Sequence, residues 1–238
     1  MKFIVCDDYA QMSAAAAELF AAQLKQKPNS VLGLATGSTP IGLYQHLVKL
    51  HKEGLDFSQA ISFNLDEYVS LSPDHDQSYH YFMHQHLFNH INMKSISLPN
   101  GNAADMQAAC TGYDAEIDNA GGIDMQLLGI GLNGHIGFNE PAEALSLNTH
   151  VVALTQSTID ANARFFATPD LVPKTAITMG LRPIMQAKKV VLVANSAAKA
   201  QIIKTLFDGK ITTNIPATLL SMHPDVTVVL DKEAAGLL

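Results

Sequence analysis

Residues 31–40 read VLGLATGSTP. Val31 to Ala35 form an unbroken run of apolar and small residues of strand length, and Thr36 to Pro40 then bring a glycine, hydroxyls and a proline. A short continuous apolar run fits a strand buried on both faces, as in a parallel sheet. Thr39 followed by Pro40 fits the N-cap and first residue of a helix. A strand that ends in a glycine turn and opens a helix is the first half of a β–α unit.

The same alternation extends in both directions. Met1 to Cys6 reads as a short strand, and Asp7 or Asp8 can cap a helix whose apolar residues Met12, Ala16, Leu19, Phe20 and Leu24 have helical spacing. Further strands are expected at ISFNL (61–65), DMQLLGIG (124–131), VVAL (151–154), AITMG (176–180), KKVVLVA (188–194) and VTVVL (226–230). Helices fit near 77–90, 156–167, 197–208 and 216–221. This order predicts an α/β fold, a mostly parallel sheet with helices on both faces. There is no repeat, low-complexity tract or linker composition, so one domain over 1–238 is expected. Loops at 36–40, 66–70, 131–141 and 195–199 each follow a strand, and ligands of such sheets bind beyond the carboxyl ends of the strands.

The composition narrows the function classes. With 238 residues, 47% of them hydrophobic, the chain can fill a core. Its net charge is −7 and it has no Lys/Arg run, which argues against a nucleic-acid partner. An anionic small molecule remains compatible, because a few cations and backbone N–H groups can hold a phosphate inside an acidic protein. Cys6 and Cys110 make no disulfide framework or metal spacing. The start lacks signal-peptide character and no apolar run is of membrane-spanning length, so the expected compartment is the cytoplasm, with no membrane partner. Monomer and homo-oligomer both stay open.

Four stretches can carry chemistry. In ATGSTP (35–40), Gly37 permits close backbone approach, Ser38 and Thr39 offer hydroxyls, and the following helix offers free N–H groups. That suits a phosphate, although the GK[ST] ending of a Walker loop is absent and an ordinary turn has the same look. In NLDEYV (64–69), Asp66 and Glu67 follow a strand; adjacent residues point opposite ways, so only one can face a cleft as a general base. A helix cap or surface turn is the alternative. GIGLNGHIGFNEP (129–141) is a glycine-rich loop holding His135, with Asn133, Asn139 and Glu140 nearby. Histidine is the side chain suited to proton transfer near neutral pH, and a carboxylate on one ring nitrogen would orient it. Arg164 and Lys199 are isolated cations, each able to hold a phosphate. His75, His80, His84, His86 and His90 crowd one stretch, but HYFMH (80–84) lacks a general base and a third ligand, so no metal is expected.

Taken in order, ATGSTPIGLY, FNLDEYVSLSPDHDQSYHYFM, GIGLNGHIGFNEPA, ANARFF, VPKTAITMG and PATLLSMHP resemble the glucosamine-6-phosphate deaminase family from about residue 31 to 224. The resemblance implies a modified Rossmann-like fold and conversion of glucosamine 6-phosphate to fructose 6-phosphate and ammonia, without a cofactor. It implies Asp66 as base for the isomerisation, His135 for ring opening, Glu140 and Asn133 as partners of the histidine, and a phosphate grip of Gly37, Ser38, Thr39, Arg164 and Lys199. The 6-phosphogluconolactonases share the fold and a similar GSTP loop, but their histidine loop reads like DGHTASLFP, whereas IGFNEP follows His135 here. A sugar-phosphate sensor would carry an added DNA-binding module for which the chain has no room. Two departures stand out. Many relatives have an acid where this chain has Asn133, so His135 is expected to lean on Glu140. Relatives activated by N-acetylglucosamine 6-phosphate use basic residues after the catalytic loop; SLNTHVVAL (146–154) offers only His150, so little activation is expected. Residues 142–172 are the candidate lid.

Overall fold

The computed structural model of the chain describes residues 1–163, 166, 168 and 171–238. Strand β1 (Lys2–Cys6) leads into helix α1 (Tyr9–Gln26), and β2 (Val31–Leu34) into α2 (Ile41–Lys52). β3 (Ile61–Asn64) passes through the short β4 (Asp66–Tyr68) to α3 (Tyr79–His86), followed by β5 (Ser95–Ser97), α4 (Met106–Asn119) and β6 (Met125–Leu128). β7 (His150–Ala153), α5 (Gln156–Ala163) and β8 (Thr175–Thr178) form an excursion before α6 (Leu181–Gln186), β9 (Lys189–Ala194), α7 (Ala200–Phe207) and β10 (Val226–Asp231).

The main sheet has seven strands in the order β1-β10-β9-β6-β2-β3-β5, and every adjacent pair is parallel. From β2 the chain steps outward to β3 and β5. It then returns to β6, beside β2, and steps the other way through β9 and β10. The direction of winding therefore reverses between β2 and β6. The loops leaving those two strands diverge to opposite sides and open a crevice at their carboxyl ends. This is the Rossmann-like α/β arrangement expected from the alternation.

The central strands are buried on both faces. All residues of β2 and β6 are buried, and so is β9 apart from Lys189. Each fully buried aliphatic side chain there contributes roughly 1.5–3 kcal/mol. Helix α1 is capped by Asp8, whose side chain accepts from the Gln11 N–H, and it buries Met12, Ala16, Phe20 and Leu24 against the sheet. It lies so close to α2 that a Cβ on Gly42 would come within 2.4 Å of Ser13 Oγ.

Several boundaries differ from the sequence reading. VVAL and AITMG do form strands, but β7 and β8 join β4 in a separate antiparallel sheet, β4-β8-β7. Alternation alone does not say which sheet a strand will enter. The expected helix over 77–90 is α3 followed by a 3-10 turn, Phe88–His90, and the one near 216–221 is a 3-10 helix, Pro216–Met222. No helix among the described residues is long and apolar enough to cross a membrane.

Candidate active site

The turn after β2 is built for close approach. Gly37 adopts φ +96°, a conformation that side chains resist. Pro40, rather than Thr39, occupies the N-cap of α2, with no side-chain cap bond. Thr39 instead donates its hydroxyl to Asn195 Oδ1 at 2.8 Å, tying this turn to the loop after β9. The α2 N-terminus thus has no side-chain cap of its own, and of its leading N–H groups that of Gly42 is taken by Tyr9. Tyr9 braces the turn: its hydroxyl accepts from the Gly42 N–H at 2.8 Å and lies 3.1 Å from the Thr39 carbonyl.

The loop after β9 is held with equal care. Ser196 sits at φ +78°, costly for a residue with a Cβ, and its N–H is gripped by both oxygens of Asp231 at 3.1 and 3.0 Å. Lys199, at the end of the following 3-10 turn, donates to the Ile130 carbonyl at 2.6 Å. Lys199 therefore ties the loop after β9 to the loop after β6. Arg164 lies outside the described residues.

Asp66 and Glu67 divide the roles that the sequence left as alternatives. Glu67 is the cap: its carboxylate accepts from the N–H groups of Tyr68, Tyr79 and His80 at 2.8, 3.0 and 2.8 Å, at the start of α3. Burial pushes its carboxyl up, and those three N–H groups oppose the rise. Asp66, only 6% exposed, pairs with Thr178 across β4 and β8. Burial, and then the neighbouring Glu67 charge, push its carboxyl up to about 8. It faces the glycine-rich loop, where a Cβ on Gly137 would lie 3.6 Å from Asp66 Oδ2.

That loop folds tightly on itself. Gly131 donates to the His135 carbonyl and Gly134 to the Gly131 carbonyl, and the His135 ring lies over Gly131. His135 Nδ1 stands 3.3 Å from Glu140 Oε1, at ion-pair distance but without hydrogen-bond alignment. Asn133 does not hold the ring, as an amide there was expected to do. Its Nδ2 donates to Glu140 Oε2 at 2.6 Å, and its Oδ1 accepts from the His135 backbone N–H at 3.2 Å. Thr158 of α5 donates to Glu140 Oε1 at 2.5 Å. Burial works to raise the Glu140 carboxyl, but His135, Thr158 and Asn133 outweigh it and hold the group down at about 2. Buried Asn139 donates to the Ile136 and Met179 carbonyls, which makes it a brace of the loop.

Of the histidine cluster, His80, His84 and His86 lie on α3, His75 precedes it, and His90 sits in the 3-10 turn after it. His80 and His84 have ring centroids 4.6 Å apart, and no group of three or more potential metal ligands is found among the described residues. A cleft of about 510 Å³ lies beside β5 and α4, lined by Asp105, Tyr113 and Glu116 among others. Its titratable lining is acidic or phenolic, unsuited to a phosphate.

A model of the glucosamine-6-phosphate isomerases/6-phosphogluconolactonase family matches residues 7–229. The chain belongs to that family. Within it, a glucosamine-6-phosphate deaminase of Thermoanaerobacter pseudethanolicus is 57% identical over 241 residues, covering 100% of this chain and 95% of that one. The solved structure of a monomeric glucosamine-6-phosphate deaminase superposes with a TM-score of 0.97 at 46% identity, covering 100% of both chains. The 6-phosphogluconolactonase from Trypanosoma cruzi superposes with a TM-score of 0.79 at 22% identity, over 100% of this chain and 96% of that one, and shares the fold.

The structure links the four loops by direct contacts: Thr39 bonds to Asn195, Lys199 to Ile130, and Asp66 lies beside Gly137. It adds Tyr9, Thr158, Asn195 and Asp231. Asn195 and Asp231 sit at the carboxyl ends of β9 and β10, so position alone pointed to them. Thr158 carries no sequence signal, being one hydroxyl in a polar helix.

Proposed function

We propose that the chain is a glucosamine-6-phosphate deaminase. It takes glucosamine 6-phosphate and water to fructose 6-phosphate and ammonia. It acts as a hydrolase of amino-sugar catabolism in the cytoplasm, with residues 1–238 as one catalytic domain. The observation that carries this reading is the placement of a buried, proton-avid carboxyl, Asp66, against the loop that presents His135 and Glu140. A lactonase has no C–H bond to break and no use for such a base.

In this reading the phosphate binds at the turn into α2, on the backbone and hydroxyls of Gly37, Ser38 and Thr39, and Lys199 and Arg164 supply the cations. Anchoring C6 positions C1 and C2, which lowers the barrier by several kcal/mol through orientation alone. His135, its charge supported by Glu140, protonates the ring oxygen as the C1 hydroxyl gives up its proton, and the ring opens. Asp66 then takes the C2 proton and returns one at C1. Water adds at C2 of the resulting imine, and ammonia leaves from the carbinolamine. No hydride moves and no external electron sink is required.

Purified protein given glucosamine 6-phosphate with EDTA present should release ammonia and fructose 6-phosphate in equal amounts. Hydrolysis of 6-phosphogluconolactone without ammonia release would replace this reading with the lactonase.

A further inference from the structure

Glu140 receives a donor that the ring-opening chemistry does not by itself require. Its Oε2 is occupied by Asn133, while its Oε1 accepts the Thr158 hydroxyl at 2.5 Å and also faces His135 Nδ1 at 3.3 Å. Both Thr158 and Glu140 are buried, at 6% and 7% exposure. Thr158 is itself a link in a chain. The Thr155 hydroxyl donates to Thr158 Oγ1 at 3.1 Å, and the Thr155 carbonyl accepts the Ile159 N–H as α5 begins. Hydrogen bonds in series polarise one another, and a short bond to a carboxylate is of the stronger, charge-assisted kind. The hydroxyl run Thr155–Thr158 therefore ends on the oxygen that faces the histidine.

We propose that Thr158 is a positioning residue through which helix α5 holds Glu140 as an anion turned toward the His135 ring. The proposal rests on the reading of His135 and Glu140 as the ring-opening pair. Without the Thr158 hydroxyl, Oε1 would have no donor but the ring and would close on Nδ1 and grip its proton, with Asn133 still on Oε2. With the Thr158 hydroxyl on the same oxygen, Glu140 shares its charge and keeps the ring at arm's length, ready to pass a proton at Nε2. His135 is the titratable group facing Glu140, Asn133 and Thr158 are its neutral partners, and Asp66 lies across Gly137.

Thr158→Val keeps the shape and removes the donor, and Thr158→Ser restores it. Ammonia release is measured from pH 5.5 to 9 for both variants, with Glu140→Gln as reference. Thr158→Val should lose about tenfold in kcat with KM within about twofold, and shift a limb of the kcat/KM profile by about half a pH unit, as expected for loss of one charge-assisted hydrogen bond. Thr158→Ser should recover both. Thr158→Cys, a weak donor of similar size, carries the same expectation as Val and replaces it if Val does not fold. An unchanged profile in Thr158→Val, with Glu140→Gln strongly altered, overturns the role of Thr158 alone. If Glu140→Gln also leaves kcat and the profile untouched, the ring-opening reading fails and the proposal falls with it.

Discussion

Replacing Asp66 with asparagine separates what the proposed base costs the fold from what it does for the reaction. The side chain is 6% exposed, and burial with the Glu67 charge raises its pKa from the ordinary 3.8 to about 8. A carboxyl whose folded-state pKa is raised contributes its full stability below the unfolded-state value, and that contribution is lost as pH rises through the folded-state value. At pH 7 the wild-type chain must take up a proton or bury a charge when it folds. The gap between 3.8 and 7 converts to about 4 kcal/mol at 1.36 kcal/mol per unit, and relaxation with water entry reduces it to about 2–4. Asparagine has the same shape and no charge, so it escapes this cost. Urea unfolding at pH 5, 7 and 8.5 should find Asp66→Asn stabilised, least at pH 5 and most at pH 8.5, while ammonia release is abolished and substrate still binds. A stability difference that does not grow with pH, or a variant less stable at pH 8.5, would refute the assignment of a desolvated, strained carboxyl. Preserved isomerisation would remove Asp66 as the base.

Other perturbations follow from the same geometry. Asn133→Asp places a second carboxylate where an amide now donates to Glu140 at 2.6 Å, so the two acids should share a proton and the acidic limb of the pH–rate profile should move up; an unmoved limb sinks this. Gly134→Ala forces a side chain onto φ +81° and sets its Cβ 2.4 Å from Ile215 Cγ2, and should cost about 1–3 kcal/mol by thermal or urea melts. N-acetylglucosamine 6-phosphate should raise the rate at sub-saturating substrate little or not at all. The stretch after the catalytic loop offers no free-standing cation of its own, and the Arg182 guanidinium beside it is spent on Asp118 and Asn148. A large fall in apparent KM on adding the effector would contradict this.

The centre of the main sheet was legible because β2, β6 and β9 are buried on both faces and so read as largely apolar runs, VLGL, MQLL and VVLVA, whereas β5 (Ser95–Ser97), a short polar edge strand, was not read. β4 was invisible for the opposite reason. Asp66–Tyr68 has no apolar period, and its pairing is set by β8, more than a hundred residues later. Helix ends were misread where a side chain had a better partner than its own backbone, as when Thr39 turned to Asn195. The candidate lid opens on a bonded stretch. Residues 142–153 are pinned by Ala142 to Thr213, by Leu181 and Arg182 to Ser146 and Leu147, and by the β7–β8 pairing. Glycine-loop chemistry was readable because His135, Asn133 and Glu140 are neighbours in sequence. Thr158 was not, since its partnership with Glu140 exists only once α5 packs over the loop.

The two acids at the crevice show why residue type alone does not assign a role. Asp66 and Glu140 are both carboxyls, both buried, and both near one loop. Desolvation acts on each in the same direction, yet one ends near 8 and the other near 2. What separates them is their partners: Glu140 has an amide and a hydroxyl donating to its oxygens and an imidazole at ion-pair distance, while Asp66 has the like charge of Glu67. A carboxylate held near 2 is a poor base and a durable counter-charge, suited to supporting an imidazolium that comes and goes. A carboxyl near 8 is basic enough to compete for a carbon-bound proton, and is ionised in a working fraction of molecules at neutral pH. The chain can therefore run acid chemistry at the ring oxygen and base chemistry at C2 in one crevice, because the surroundings have driven two like groups apart in proton affinity. That separation sets a further expectation on the kinetics: kcat/KM should climb with pH toward 8 as Asp66 ionises, and the climb should persist in Glu140→Gln, since the group that titrates there belongs to β4 and not to the loop.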